Sequence, residues 1–380
     1  MSMTAGAAMN LDTDDFLARY WQQQPLLIRQ AVANFVPPVS SDELAGLALE
    51  ESVESRIIES VGGNWQLFHG PFSASDYTRP NPWTLLVQAV DHYVLEVAQL
   101  RKLVDFIPGW RVDDVMVSYA VDGGSVGPHY DNYDVFLLQG EGRRRWQIGQ
   151  HCDANTPILP QDDLRIIRDF DVQAEYVLEP GDMLYVPPGV AHWGIAEGEC
   201  TTFSIGFRAP RIDDLVARFT DALLAAHAQG EAFFRDSNLE AAARPGEIRV
   251  QDIARMRAQL RAALDQAVDE RWFGELVTEP RYDAMPAEDE LAESLHTLHA
   301  GATALFLAPE SKLAWQATVN GIDVFANGAS RSFSAGILEL ITTVCGEWEL
   351  RDVMFASARD NAEQCELLCY LLATGCAYVE

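Results

Sequence analysis

Between residues 56 and 208 the chain is made of short β-branched and aromatic runs, each bounded by glycine, proline or other turn residues. Many short runs at close spacing are typical of antiparallel strands that close into a sandwich or barrel. A longer stretch around residues 83–103 predicts one helical interruption. We therefore predict a mainly β domain with strands at residues 56–60, 65–69, 115–120, 135–139, 144–148, 175–178, 183–186 and 202–207.

Helical periodicity flanks this β region. Asp12 or Thr13 is a candidate N-cap for a short amphipathic helix that ends near Pro25. Beyond Pro210, apolar residues recur at helical spacing and predict helices with wide apolar faces, which either pack on one another or support self-association. One face consists of Leu215, Phe219 and Leu223, and another of Ile253, Met256, Leu260, Leu264 and Val268.

A third pattern begins near Pro286. Asn320-Gly321 joins two alternating runs, residues 315–319 and 322–326, and is a strong hairpin signal. Helical stretches at 335–344 and 361–373 flank this hairpin. The predicted domains are therefore a mainly β domain at 1–210, an α-helical region at 211–280, and a winged-helix-like α+β domain at 281–380.

The charge of the chain restricts its partners. With 27 Lys and Arg against 57 Asp and Glu, the net charge is −30, which repels phosphate backbones and anionic membranes and attracts basic proteins. Residues 281–380 alone carry 5 basic and 15 acidic side chains, so nucleic-acid binding by the C-terminal domain is disfavoured. No apolar run approaches the ~20 residues that span a bilayer, so no membrane association is expected.

Six cysteines are spread along the chain without a CxxC pair, and Met1 to Leu11 do not resemble a secretory leader. This usage predicts a reducing, cytoplasmic compartment. Cys365 and Cys369 are one helical turn apart in a leucine-rich stretch. We interpret them as buried small hydrophobic side chains rather than a disulfide or a zinc site.

The residues that carry most chemical information are His129, Asp131 and His192. His129 and Asp131 are two apart in an extended run, which predicts that both lie on one face of a strand. His192 follows 63 residues later, after a predicted strand and a Pro-Pro-Gly turn. Two imidazoles and one carboxylate fill one face of an octahedral ion and leave the other face open, which suits Fe(II), whereas structural zinc sites prefer four ligands. We predict that these three residues bind a metal and are catalytic.

These motifs resemble the Jumonji-C (JmjC) oxygenases of the cupin superfamily, and most of all the bacterial ribosomal oxygenases. The resemblance covers residues 20–29, 127–146, 179–192 and 206–210, and the domain order that follows agrees with it. It implies a double-stranded β-helix that uses Fe(II), 2-oxoglutarate and dioxygen, a homodimer formed through the helical region, and hydroxylation of a basic ribosomal protein. For bacterial members the implied reaction is 3-hydroxylation of an arginine in large-subunit protein sixteen, and for eukaryotic relatives it is hydroxylation of histidine.

Alternation in the run Arg143-Arg144-Arg145 places Arg144 on the same inward face as Trp146 and Ile148, with its two neighbours outside. A buried guanidinium requires an anion, and its geometry matches a carboxylate. We predict that Arg144 binds the distal carboxylate of 2-oxoglutarate, as the family pattern also implies. A structural buried ion pair is the alternative.

Two further residues complete the predicted cosubstrate site. Ser118, in the strand at 115–120, is a candidate donor to the same carboxylate, although an ordinary strand serine would look the same. Tyr133 is two residues beyond Asp131 and is a candidate cavity residue, with core packing as the alternative.

Two other functions stay open at this point. One is a different cupin-type 2-oxoglutarate oxygenase that acts on another protein residue, such as histidine, or on a small molecule. The other is a non-enzymatic binding module. The acidic composition favours a basic protein substrate, but many cytosolic enzymes are acidic.

Overall fold

The computed structural model describes residues 9–160, 164–227, 233–237, 239–241, 244–265, 269–282 and 285–380. The chain divides into two compact units. The first contains residues 1–209 with the short segments 306–311 and 376–378, and the second contains residues 210–305, 312–375 and 379–380. A further division of the second unit into a helical region and a winged domain remains a prediction.

Within the described part of residues 9–209, eleven strands form two antiparallel sheets. An eight-stranded sheet has the order β1-β9-β6-β11-β5-β4-β2-β3, and a three-stranded sheet has the order β10-β7-β8. The strands are β1 (Leu26–Ile28), β2 (Ser55–Val61), β3 (Asn64–His69), β4 (Trp83–Val87), β5 (Val112–Ala120), β6 (Val135–Gln139), β7 (Arg143–His151), β8 (Ala174–Leu178), β9 (Met183–Val186), β10 (Val190–Glu197) and β11 (Cys200–Phe207).

The two sheets pack on each other through a shared apolar core. Val135, Leu137 and Leu184 of the large sheet pack with Trp146 and Ile148 of the small one. The mainly β prediction is thus confirmed, and each predicted strand lies within or overlaps an observed one. Strands β1 and β10 were not predicted. β1 has only three residues, and β10 follows β9 after only three residues, a segment that the sequence analysis described as a Pro-Pro-Gly turn.

Helices cover the large sheet. They are α1 (Thr13–Arg19), α2 (Ser41–Leu47) and α3 (Leu95–Ala98), with short 3-10 turns at Ala74–Tyr77, Val90–His92, Gln99–Val104 and Gly109–Arg111. The Asp12 side chain accepts a hydrogen bond from Asp15 N, which confirms it as the N-cap of α1. Phe16 is fully buried and stacks edge-on against Tyr185, with ring centroids 4.9 Å apart.

The predicted helical interruption at 83–103 is partly wrong. Its first residues form β4, and helical structure begins only at Val90. Strand β4 lies between β5 and β2, and all five of its residues are buried. A strand covered on both faces has no apolar–polar alternation, so periodicity cannot distinguish it from a buried helix.

Residues 210–380 contain helices and two small sheets. The helices are α4 (Ile212–His227), α5 (Val250–Leu264), α6 (Arg271–Val277), α7 (Glu288–Ala300), α8 (Leu338–Glu347), α9 (Asp352–Asp360) and α10 (Ala362–Ala373). The C-terminal strands are β12 (Ala304–Leu307), β13 (Leu313–Thr318), β14 (Gly321–Ala326), β15 (Ala329–Phe333), β16 (Glu349–Arg351) and β17 (Ala377–Val379), arranged as β13-β14-β15 and β16-β12-β17.

Both Asn-Gly pairs lie at hairpin turns. Thr318 pairs with Gly321 across the first turn, and Ala326 pairs with Ala329 across the second, so the predicted hairpin is confirmed and extended by one strand. The helices predicted at 335–344 and 361–373 correspond to α8 and α10. Val268, placed on the second apolar stripe, lies outside the described residues. Among the helices of the described ranges, none is long and apolar enough to cross a membrane.

Candidate active site

His129 and Asp131 lie in the loop between β5 and β6, and not in a regular strand as predicted. His129 forms an isolated antiparallel bridge with His192 of β10, in which each backbone N–H donates to the other's carbonyl at 3.1 and 2.9 Å. The Gly189 N–H donates to the Asp131 carbonyl at 2.7 Å. These three hydrogen bonds hold the loop against the start of β10. His129 and Asp131 are therefore fixed in place although they do not lie in a regular strand.

The three predicted metal ligands converge. One potential ligand atom from each of His129, Asp131 and His192 lies within 4.8 Å of the other two. Asp131 Oδ2 is 4.0 Å from His129 Nε2 and 3.6 Å from His192 Nε2. The two imidazole ring centroids are 4.3 Å apart. A single ion can therefore contact all three side chains.

The backbone selects the tautomer of both histidines. His129 Nδ1 lies 2.9 Å from the Gly127 carbonyl, and His192 Nδ1 lies 3.0 Å from the Val190 carbonyl. A carbonyl can only accept, so we assign the proton of each neutral ring to Nδ1. Both Nε2 lone pairs are then directed at the Asp131 side, which is the arrangement that outer hydrogen bonds give to metal-binding histidines.

Burial keeps His192 neutral. The residue is 2% exposed. Burial and the neighbouring His129 lower the pKa of His192 to about 4, against the partial opposition of the Asp131 carboxylate. A neutral imidazole with a free lone pair is the form that binds a metal ion.

Two glycines make the close approach of these segments possible. Gly127 has φ +83°, and a Cβ there would lie 2.7 Å from Ile166 Cδ1. Gly189 has φ +76°, and a Cβ there would lie 2.8 Å from the His151 ring. Both positions combine a left-handed backbone with no room for a side chain, so only glycine fits.

Arg144 has the predicted inward orientation. It is 4% exposed, and Trp146 and Ile148 on the same face are buried too. Its outward neighbours form ion pairs, Arg143 with Glu197 and Arg145 with Glu175 and Glu197. The alternation of the strand is therefore confirmed.

The Arg144 guanidinium is only partly satisfied. Nη1 donates to Ser118 Oγ at 3.3 Å, and Ser118 is itself 2% exposed. Within the described part of the chain, the buried Nε and Nη2 atoms have no hydrogen-bond partner. A buried cation with two unsatisfied N–H groups is costly unless an anion completes it. At this position the chain therefore supplies the hydrogen-bond donors of a site that could bind a carboxylate.

Trp146 lies close to both Arg144 and His192. Its indole ring is 5.9 Å from Arg144 Cζ and 5.9 Å, between ring centroids, from the His192 imidazole. Sequence analysis used Trp146 only to orient the strand. Its closeness to His192 could have been inferred only from the pairing of β7 with β10.

Tyr133 is not a core residue, since it is 42% exposed. The negative charge of the Asp131 carboxylate is the largest cause that raises the pKa of Tyr133, so the hydroxyl stays protonated and able to donate. The structure thus places Tyr133 beside the metal ligands, and Ser118 beside Arg144.

Sequence analysis missed the groups that support the ligands. Besides the Gly127 and Val190 carbonyls, the buried Ser125 hydroxyl accepts from Gly127 N at 3.1 Å and from Trp193 Nε1 at 2.8 Å. Every residue type has the same backbone carbonyl, so the sequence does not reveal which carbonyls accept these hydrogen bonds. The glycines at 127 and 189 were the available signal, because each flanks a ligand.

Comparison with family models gives two matches. A model described as JmjC domain matches residues 99–215. Another, described as AraC-like ligand binding domain, matches residues 172–279 and overlaps the first.

Similar proteins and structures were found in bacteria. Ribosomal protein uL16 3-hydroxylase of Escherichia coli K12 is 38% identical over 301 residues, which is 76% of this chain and 79% of that protein. A probable ribosomal oxygenase of Haemophilus influenzae is 43% identical over 53% of this chain and 50% of its own length. The crystal structure of E. coli YcfD has a TM-score of 0.83 and 34% identity, covering 98% of this chain and 99% of that one. The structure of the same ribosomal oxygenase with cobalt and 2-oxoglutarate has a TM-score of 0.81 and 33% identity over the same shares.

Proposed function

The chain belongs to the JmjC-domain ribosomal oxygenases, and we propose that it is an Fe(II)- and 2-oxoglutarate-dependent hydroxylase of an arginine in ribosomal protein uL16. The observation that carries the proposal is the buried Arg144, which has two unsatisfied N–H groups and shares the neighbour Trp146 with His192 of a cluster of two imidazoles and a carboxylate. This arrangement supports a metal ion and a dicarboxylate bound side by side.

His129, Asp131 and His192 would hold the Fe(II). Their donor set is the two-histidine, one-carboxylate combination of non-haem iron oxygenases, and it leaves ligand positions for a cosubstrate and dioxygen. Both imidazoles are already in the required tautomer, so binding requires little reorganisation of the ligands. The protonated Tyr133 hydroxyl would donate to Asp131 and orient the carboxylate.

Arg144 and Ser118 would hold the distal carboxylate of 2-oxoglutarate. Nε and Nη2 of Arg144 lie on one edge of the guanidinium, which matches the two oxygens of a carboxylate. The Ser118 hydroxyl would add one neutral donor.

The bound metal and cosubstrate supply the activation of dioxygen, with 2-oxoglutarate leaving as succinate and carbon dioxide and one oxygen atom entering the substrate. The chain's own residues position the reactants. The buried Trp146 contacts both Arg144 and the His192 imidazole, and its apolar ring would help to keep water from this part of the site.

The substrate is assigned by the relatives and supported by charge. The E. coli relative is named for hydroxylation of uL16. Ribosomal proteins are basic, and the net charge of −30 on this chain steers a basic partner toward it. Action on such a substrate supports the cytoplasmic location that we propose for the enzyme.

We also propose that α5 forms a homodimer interface, with a second copy of the chain as its occupant. The stripe of α5 is exposed in the single chain, with Ile253 40%, Met256 42%, Leu260 55% and Leu264 39% accessible. The stripes therefore do not simply pack on one another. A repeated apolar face on one helix is self-complementary, as a two-fold interface requires.

The function is tested by incubating the purified chain with recombinant uL16, Fe(II), 2-oxoglutarate and air. We expect an arginine of uL16 to gain the mass of one oxygen atom, with succinate formed in equal amount. The Asp131→Ala variant serves as the inactive control, and fragments of other ribosomal proteins that contain histidine test the alternative. Oxygen on a histidine, or no gain on uL16, would overturn the assignment.

A further inference from the structure

The second unit contains a cluster of soft potential metal ligands. His299 in the last turn of α7 and Cys365 and Cys369 on α10 each place one ligand atom within 4.8 Å of the other two. His299 is exposed, and both cysteines are half-buried. These are not the fully buried hydrophobic side chains that the leucine-rich sequence predicted.

The spacing of the thiols is set by the helix. Residues four apart on a helix lie one above the other on the same face, so Cys365 and Cys369 present two sulfur atoms to one point. Helix α10 begins just before them, where the Asn361 side chain accepts hydrogen bonds from Glu363 N and Gln364 N. This N-cap fixes the residue at which α10 begins, and the spacing of four residues aligns the two thiols.

The imidazole reaches this point because α7 and α10 pack on each other. Leu298, next to His299, is fully buried, as are Leu368 and Leu372 of α10. Arg359 Nη1 donates to the Ala302 carbonyl just beyond the end of α7, at 3.3 Å. The end of α7 is thus also attached to α9, the helix that precedes α10.

The donor chemistry selects the ion. Two thiolates and one imidazole are borderline-to-soft ligands, which prefer Zn²⁺ over Mg²⁺, Ca²⁺ or Fe(II). Three protein ligands leave one position of a tetrahedron open, and the exposed side of His299 lets solvent occupy it. Arg331 acts electrostatically on Cys369, but its guanidinium is itself paired with Glu366.

We propose that His299, Cys365 and Cys369 form a second metal site, specific for Zn²⁺, that links α7 to α10 and is separate in chemistry from the iron site. A bound ion would join two helices that are otherwise held by apolar packing. Binding to the folded state alone would also stabilise the second unit in proportion to the free zinc concentration.

The test uses Co²⁺ as a spectroscopic probe in the full chain carrying Asp131→Ala, which weakens the first site. Thiolate coordination gives a near-ultraviolet charge-transfer band that ligands without sulfur cannot produce. We expect this band to saturate at one Co²⁺ per chain, to be displaced by Zn²⁺, and to disappear with Cys369→Ser. Loss of one ligand should weaken binding more than about 100-fold, because even outer-shell partners are worth about 10–100-fold.

Two further variants make the test decisive. His299→Gln changes an exposed side chain, so it should weaken Co²⁺ binding without disturbing the fold. Cys345→Ser, on α8 of the same unit and outside the cluster, is the matched control and should bind Co²⁺ as tightly as its parent. Absence of the thiolate band, its survival in Cys369→Ser, or its loss in Cys345→Ser would overturn the proposal.

Discussion

The two clusters of potential metal ligands are held in place by different forces. In the first unit, backbone hydrogen bonds join the loop of His129 and Asp131 to β10, and backbone carbonyls orient both imidazoles. In the second unit, the packing of α7 on α10 brings His299 to two half-buried thiols.

The two clusters therefore differ in how much conformational freedom their ligand side chains have before an ion binds. Ligands held by the backbone are preorganised, so little conformational entropy is lost when an ion binds. Ligands at the surface of two packed helices keep more freedom and lose it on binding. The first arrangement suits catalysis, which requires exact positioning, and the second suits a structural link.

The largest expected effect is a loss of turnover that depends on the first cluster and not on the second. Asp131→Ala should lower succinate formation more than about 100-fold, because removal of a direct ligand exceeds the loss caused by an outer-shell partner. Cys369→Ser should leave turnover unchanged. Turnover of Asp131→Ala near the level of the original chain would exclude this cluster as the iron site.

A smaller effect is expected at the cosubstrate site of the first unit. Arg144→Met should raise the KM for 2-oxoglutarate about 10–100-fold, since a hydrogen bond to a charged group contributes about 1.5–3 kcal/mol. Arg143→Met changes an outward arginine on the same strand and should have little effect. The reverse ranking would show that the inward face of β7 does not bind the cosubstrate.

A substitution in the exposed stripe of α5 tests whether the second unit packs against a second copy of the chain as well as within one chain. Leu260→Glu should weaken self-association at least about tenfold, because a buried charge without a partner is costly. Ala258→Glu adds the same charge on the opposite, exposed face and is the control. Light scattering should report twice 42.1 kDa for the original chain and for Ala258→Glu. A monomeric original chain at micromolar concentration would contradict the dimer.

The smallest effect concerns the buried carboxylate of Asp182 in the first unit, which joins the segment of Arg29 and Gln30 to the start of β9. Asp182 accepts hydrogen bonds from Gln30 N, Glu179 N and Arg29. Burial alone would raise its pKa, but these hydrogen bonds outweigh burial and lower the pKa of Asp182. An acid with a lowered folded-state pKa contributes stability above its unfolded pKa of about 3.9 and loses it as pH falls through the folded value.

Asp182→Asn should therefore reduce the free energy of unfolding by about 1 kcal/mol at pH 7 and by less at pH 3. Asp105→Asn, at an exposed position, is the matched control. Thermal unfolding at both pH values measures the difference. An equal loss at pH 7 and pH 3 would show that the charge of Asp182 does not contribute.

Local patterns in the sequence predicted a large part of the molecule. Asn320-Gly321 predicted the turn that leads into β14, and alternation predicted the inward face of Arg144. The spacing of His129, Asp131 and His192 predicted the first cluster, although the strand assigned to His129 is a loop. Each of these features depends on neighbours within a few residues or on a motif that carries its own turn residues.

Tertiary structure decided the rest. β4 is a strand because β5 and β2 pair with its two edges and all five of its residues are buried, which no periodicity in those five residues can show. The tautomers of His129 and His192 depend on carbonyl groups, which are the same for every residue type. His299 meets Cys365 and Cys369 only because α7 packs on α10, more than 60 positions away along the chain. Local propensity determines elements and their faces, but the contacts between distant elements follow from packing and register, which the sequence does not state in any one segment.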